Sequence, residues 1–248
     1  QPAVLTATIT TTMITCNGAS DGIINITGPT GGYGTYEYTI NGGTSWQASG
    51  LYNSLAPGSY DVRIRDAANI SCEVVLNNGV DITEPAALNA LVMDTDITCF
   101  GANNGTITVT NPSGGYGTYE YSNTGGAAWQ SSNTFTGLAP NTYDVRIRDK
   151  VQIACVKILT PAVISEPAIL SATVNSTDVT CNGASDGTIN IINPIGGYGT
   201  YEYSINGGGL WQASGSFTEL APASYDVRIR DAANATCVIN LNPALVIT

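Results

Sequence analysis

The 248 residues carry 8 Lys and Arg against 19 Asp and Glu and no histidine, a formal net charge of −11 at neutral pH. That balance argues against a nucleic-acid binder, whose phosphates need clustered cations, and the absence of histidine removes the commonest general base. Charged residues make up only 11% of the chain, so solubility rests on neutral Thr, Asn, Ser and Gly, and no apolar run reaches the ~18 residues of a membrane span.

In chain order, Val4 to Thr10 alternates as an opening strand that Ile14-Thr15-Cys16 continues, and the turn Asn17 to Gly22 leads into a strand through Ile24 and Ile26. Gly31-Gly32-Tyr33-Gly34 bends the chain before Thr35 to Ile40, a strand that sets Tyr36 and Tyr38 against Glu37. Asn41-Gly42-Gly43 is a hairpin signal, with Trp46 shortly after it. In Leu55 to Asp66 a Pro-containing turn feeds a strand with Tyr60, Val62 and Ile64 on one face and Asp61, Arg63 and Arg65 on the other. Cys72 to Leu76 and Val80 to Ile82 complete about seven short strands with no helical period, which describes a β-sandwich.

This block is then written twice more: Leu55 to Asp66 recurs as Leu138 to Asp149 and as Leu220 to Asp231. Three repeats follow, 1–83, 84–165 and 166–248, joined at Glu84-Pro85 and Glu166-Pro167 with no Gly/Ser linker between them. The chain begins and ends in phase with the repeat, as an excerpt from a longer array whose export signal lies elsewhere would. Stiff Pro-containing joints predict a rod, each repeat roughly 35 Å long and three about 100 Å at ~3.3 Å per strand residue.

The six cysteines fall two per repeat, 56 positions apart. Pairing within repeats (Cys16–Cys72, Cys99–Cys155, Cys181–Cys237) is favoured, since closing such a loop removes chain entropy worth roughly 4 kcal/mol and a small module needs a staple. The alternatives are pairing across junctions (Cys72–Cys99, Cys155–Cys181) and reduced thiols in the core. Pairing of either kind implies an oxidising, extracytoplasmic setting.

Taken together, Cys16-Asn17-Gly18-Ala19-Ser20-Asp21-Gly22, Gly31 to Tyr38, Asn41-Gly42-Gly43 with Trp46, Leu55 to Asp66 and the closing Cys72 resemble the SprB repeat. The resemblance implies a very long cell-surface adhesin of gliding Bacteroidetes, exported by type IX secretion, displayed on the outer membrane and moved by the gliding machinery. The Leu-x-Pro-x-x-Tyr turn also resembles the tyrosine corner of Ig-like sandwiches, with Tyr60, Tyr143 and Tyr225 in that role. The all-β class is thus expected as three tandem Ig-like β-sandwich modules. The middle repeat departs at Thr124, where the others have Asn41 and Asn206, and at Asn104, where they have Asp21 and Asp186.

Each candidate site has a structural use beside its functional one. Tyr38 to Trp46 resembles the Asp-box hairpin of sialidases, so Trp46, Trp129 and Trp211 read as hairpin or core packing ahead of a sugar-stacking platform. Asp21, Asp66, Asp186 and Asp231 offer oxygens of the kind calcium takes, but Asp before Gly or in a bend reads as ordinary turn chemistry ahead of a metal site. Arg63, Arg65, Arg146, Arg148, Arg228 and Arg230 read as cross-strand partners of Asp61 and Glu37 ahead of a basic stripe for acidic polysaccharide. No nucleophile elbow or metal-ligand spacing is present, so no enzyme and no cofactor are expected. The first and third repeats share 43 of 57 residues between their cysteines, which favours repetition of a shape over diversification of a site. The reading is a non-enzymatic stalk segment of a surface adhesin, its partners the neighbouring repeats; the alternatives are a carbohydrate-binding array and a filament that self-associates laterally.

Overall fold

The computed structural model describes residues 1–248, and every regular element in it is a β-strand. In the first repeat β1 (Thr6–Thr12), β2 (Gly22–Thr30), β3 (Tyr36–Thr39), β4 (Leu51–Leu55), β5 (Gly58–Asp66) and β6 (Glu73–Ile82) form two antiparallel sheets, ordered β1-β2-β4 and β3-β5-β6. The third repeat has the same arrangement, with β15 (Ser171–Thr177), β16 (Gly187–Ile195) and β18 (Ser216–Leu220) in one sheet and β17 (Tyr201–Ser204), β19 (Ala223–Asp231) and β20 (Val238–Ile247) in the other.

The middle repeat is cut into more pieces. Its strands are β7 (Asn89–Thr95), β8 (Gly105–Ser113), β9 (Tyr119–Ser122), β10 (Thr134–Leu138), β11 (Asn141–Tyr143), β12 (Arg146–Asp149), β13 (Val156–Ile158) and β14 (Ala162–Ile164). The break between β11 and β12 falls where β5 and β6 shift register around Val62, so a bulge in one repeat becomes a gap in the next. Six strands in the outer repeats and eight in the middle one bracket the expected seven.

Alternation dictates the core. Val62 and Ile64 on β5 and Ile24 on β2 are fully buried between the two sheets of the first repeat, with Ile14, Tyr38 and Ile82 around them. The third repeat buries Val227, Ile229 and Ile189 in the same way. Burial of each such side chain contributes about 1.5–3 kcal/mol, so a dozen of them supply the main driving force. The inward face of β5 carries one polar member, Asp66, which is also fully buried.

By contacts the chain divides into two units that do not follow the repeat boundaries. One comprises Gln1–Leu91, Val109–Asn133 and Val145–Thr160; the other comprises Val92–Thr108, Thr134–Asp144 and Pro161–Thr248.

The cysteines correct the pairing favoured from sequence. Cys16–Cys72, Cys99–Cys155 and Cys181–Cys237 do not form; the disulfides are Cys16–Cys155 and Cys99–Cys237, each with Cα atoms 5.3 Å apart, and Cys72 and Cys181 are free. The reason is strand length. The register sets Gly58, at the start of β5, opposite Ile82, close to where the Ile14 N–H meets the Thr83 carbonyl, whereas Asp66, at the end of β5, donates its N–H to the Cys72 carbonyl. Nine residues of β5 at ~3.3 Å each hold the two cysteines of a repeat roughly 30 Å apart, far beyond the ~7 Å a disulfide tolerates. Each disulfide instead joins the first cysteine of one repeat to the second cysteine of the next, and each lies inside one of the two units.

Candidate functional site

The joints that carry these disulfides are built from short-range turn chemistry. In the first unit the Cys16-Asn17-Gly18 turn closes with the Ala19 N–H on the Cys16 carbonyl at 3.0 Å, and Gly18 sits at a φ of +77°, where glycine is favoured. Asp21 fixes the turn by accepting from the Thr15 N–H at 3.0 Å and from the Thr15 hydroxyl. These bonds hold the Asp21 carboxyl below its ordinary range, the hydroxyl bond being the larger cause.

The turn enters a seat supplied by the following repeat, lined by Pro85, Ala86, Leu88, Gly115 and Cys155. There the Gly18 N–H donates to Glu84 Oε2 at 2.6 Å, Asn17 Nδ2 donates to the Pro85 carbonyl at 3.2 Å, and the Tyr116 hydroxyl donates to the Thr15 carbonyl at 3.4 Å. The second unit builds the same joint from Cys99 and Cys237. Gly101 N–H meets Glu166 Oε2 at 2.8 Å, the Tyr198 hydroxyl meets the Ile97 carbonyl at 3.5 Å, and Asn234 Nδ2 meets the Thr98 carbonyl at 3.3 Å. The Glu-Pro boundary, read from sequence as a stiff linker, thus also provides an acceptor for the preceding turn.

The other singled-out residues lie away from the joints or support them from behind. Tyr60, Tyr143 and Tyr225 donate their hydroxyls to the carbonyls of Ala56, Ala139 and Ala221, four residues earlier, at 2.8–2.9 Å. Trp46, Trp129 and Trp211 are half-buried, each with an arginine over its ring: Arg65, Arg148 and Arg230 at 4.4, 4.4 and 4.5 Å from the centroids. Trp46 Nε1 also donates to the Gly43 carbonyl at 3.0 Å, locking the hairpin it follows.

The arginine stripe is neutralised along its length. Arg65, Arg148 and Arg230 pair with Glu37, Glu120 and Glu202 at 2.6–2.7 Å, and Arg228 pairs with Asp226 at 2.6 Å. Arg63 bridges Asp61 and Glu73, the latter at 2.9 Å, and Arg146 is also engaged. The carboxyls of Asp61 and Asp226 are held below their ordinary range chiefly by the hydrogen bonds from these arginines, and Arg63 is held above its own. Register explains the pattern, since Glu37 stands directly opposite Arg65 and Glu202 opposite Arg230.

Of the carboxylates weighed as calcium ligands, Asp66 and Asp231 point into backbone. Asp66 Oδ1 accepts from Ala68 N–H at 2.9 Å and Asn69 N–H at 3.2 Å, while Oδ2 accepts from Tyr33 N–H. Asp149 and Asp231 make the equivalent three bonds. Surrounded by N–H donors, this carboxylate locks the Gly-Gly-Tyr-Gly turn, and a side chain on Gly32 would collide with it. Asp186 repeats the Asp21 turn with Thr180, and no group of three acidic, histidine or cysteine side chains clusters as a metal site would require. Sequence reasoning missed this lock and the seat alike; Gly32-Tyr33 and Asp66 repeating together thirty-odd residues apart was the available signal for the first.

No curated protein is similar in sequence. Among solved structures, the three N-terminal domains of the bacteriophage RB49 highly immunogenic outer capsid protein (Hoc) align over 98% of this chain and 97% of their own at 12% identity and a TM-score of 0.36. The S-layer protein rSbsC(31-844) aligns over all of this chain and 40% of its own, at 12% identity and a TM-score of 0.27. The family model of the SprB repeat matches residues 8–45, 95–128 and 173–210, the hairpin-bearing first half of each repeat. This is a structural repeat of surface-exposed proteins, and its model matches this chain once within each of the three repeats.

Proposed function

We propose that this chain is a non-enzymatic stalk segment of a long bacterial cell-surface adhesin filament that supports surface attachment and gliding motility. The observation that carries the reading is the joint: the turn of one repeat is seated in the next and bonded to it covalently, at Cys16–Cys155 and again at Cys99–Cys237. A chain that must transmit traction gains from joints that cannot slip, and disulfides suit an extracellular location. Its partners in this reading are neighbouring repeats, with export by type IX secretion and coupling to the gliding machinery, and no bound metal is required.

An antibody raised against the chain tests the proposal on intact gliding cells of the source. Surface labelling that moves along the cell, and fewer cells held on glass when the repeats are deleted from the parent gene, are the expected results. Labelling only after cell lysis would overturn it.

One observation favours a second reading, a carbohydrate-binding array. Beside Trp211 lies a cavity of about 530 Å³ lined by Leu210, Phe217, Tyr225, Asn206 and Gln212, a mix of apolar faces and amide groups suited to sugar. Arg230 already covers one face of that tryptophan, which leaves the groove the remaining route. Retention of the purified chain on a glycan array, lost in Trp211→Ala, would favour this reading.

A further inference from the structure

The hairpin before each tryptophan is closed differently in the three repeats. In the first, Asn41 Oδ1 accepts from the Ser45 N–H at 3.0 Å, Asn41 Nδ2 donates to Ser45 Oγ at 2.8 Å, and the Trp46 indole N–H donates to the Gly43 carbonyl at 3.0 Å. Both side-chain donors are spent inside the turn. In the third, Leu210 stands where the first has Ser45. Asn206 Oδ1 still accepts from the Leu210 N–H at 2.9 Å, but Asn206 Nδ2 has lost its acceptor and the Trp211 indole N–H makes no hydrogen bond. The second has Thr124 and Ala128 at these positions and Asn123 where the others have Ile40 and Ile205, so it lacks both the amide and the apolar wall.

Both released donors belong to residues that line the cavity of about 530 Å³ beside Trp211, a size usual for small-molecule sites. Leu210 is 77% exposed, more than any other large apolar side chain of the chain. The hairpin does not need it, since serine and alanine serve at the same place in the other repeats. Gln212 commits its Nε2 to the Ser214 and Ser216 carbonyls at 2.7 and 3.0 Å, which leaves Oε1 as an acceptor. The lining therefore combines two free N–H donors, one amide acceptor and apolar walls from Leu210, Phe217 and Ile205, with no charged side chain among them.

We propose that the third repeat alone is a binding site for a neutral 2-acetamido sugar, which the first two repeats do not hold. The inference rests on the carbohydrate reading of the Trp211 groove and narrows it from an array to one repeat and one sugar class. An acetamido group matches the lining part for part. Its carbonyl accepts from the indole N–H or from Asn206 Nδ2, its N–H donates to Gln212 Oε1, and its methyl lies against Leu210 and Phe217. A plain hexose brings no methyl for the leucine. An acidic sugar finds no spare cation, because Arg228 and Arg230 are already paired with Asp226 and Glu202 at 2.6 Å.

The test follows the three indole N–H signals of the full 248-residue chain, labelled with nitrogen-15 and with both disulfides intact, in nuclear magnetic resonance titrations. N-acetylglucosamine is expected to move the Trp211 signal saturably and to leave those of Trp46 and Trp129 in place, with glucose and glucuronic acid at least about tenfold weaker. Leu210→Ser, which installs the first repeat's residue, should weaken N-acetylglucosamine about tenfold while the other two indole signals stay put and report an intact fold. Glucose binding as tightly as N-acetylglucosamine, equal movement of all three signals, or unchanged affinity in Leu210→Ser would each overturn this inference and leave the carbohydrate reading standing. A Trp211 signal that no sugar moves would overturn both.

Discussion

Arg65 lies over the Trp46 ring at 4.4 Å while its Nε donates to Glu37 at 2.7 Å, so one side chain ties a hairpin to the strand opposite it. The arrangement needs a planar fork that is cationic on its face and directional at its edge, which lysine lacks. Arg65→Ala should lower stability by about 1–2 kcal/mol, combining a partly exposed cation–π contact and an ion pair. Arg65→Lys should recover less than half of that loss. Urea unfolding of the two variants checks both, and equal stability of Lys and Arg would show that charge alone matters.

The Asp66 carboxylate should be harder to replace than any surface acid. Asp66→Ala removes the shared acceptor of three backbone N–H groups in partly buried turns, at a total cost of about 1–3 kcal/mol. Asp66→Asn presents an amide N–H where a second acceptor was, and should also unfold earlier. Thermal melts are expected to fall for both, the first more than for any exposed Asp→Ala variant.

Tyr52 carries a misfit of the opposite kind. Its hydroxyl is buried with no hydrogen-bond partner, and burial pushes its pKa up to about 12. Phe135 and Phe217 stand at the same place in the other repeats. Tyr52→Phe should therefore stabilise the first repeat by about 1 kcal/mol, the desolvation cost of the orphaned group. A loss of stability on this change would mean that the hydroxyl has a partner in solution.

Acid should loosen the turns that feed the joints. Asp21 and Asp186 are held below the ordinary 3.8, first by the Thr15 and Thr180 hydroxyls, so the folded chain binds these protons less readily than the unfolded one. Their contribution is complete above that value and is lost as pH falls through the lower folded value. The melting midpoint should hold level down to about pH 4.5 and drop below it. In the middle repeat Asn104 makes the matching pair of bonds to Thr98 at 3.1 and 2.7 Å without a titrating group. Asp21→Asn should accordingly flatten part of the acid limb.

Much of this architecture was legible because it is local. Alternation around Val62 and Ile64 gave the buried face, Asn41-Gly42-Gly43 gave the hairpin, and the Pro-x-x-Tyr spacing gave the corner that Tyr60 closes on Ala56. The cysteine pairing was not legible, because two sulfurs 56 positions apart say nothing of which ends of the strands they occupy. The register of β5 with β6 settles that, and it depends on pairings between segments distant in sequence. Asp66 was legible as a turn former, since two of its donors are the local N–H groups of Ala68 and Asn69; its third, from Tyr33, was not, because that loop is brought near only by the folded sandwich.

The staggered disulfides alter how this polypeptide would yield to tension. Loops Cys16–Cys155 and Cys99–Cys237 overlap, so a pull between the termini runs from Cys16 through sulfur to Cys155, back along the middle repeat to Cys99, and through sulfur again to Cys237. Even with every strand torn out, roughly 80 residues bear the force, about 290 Å of contour at ~3.5 Å per residue, against about 870 Å for the reduced chain. The middle repeat would be stretched in reverse, from its end toward its beginning, while most of the outer two hung slack.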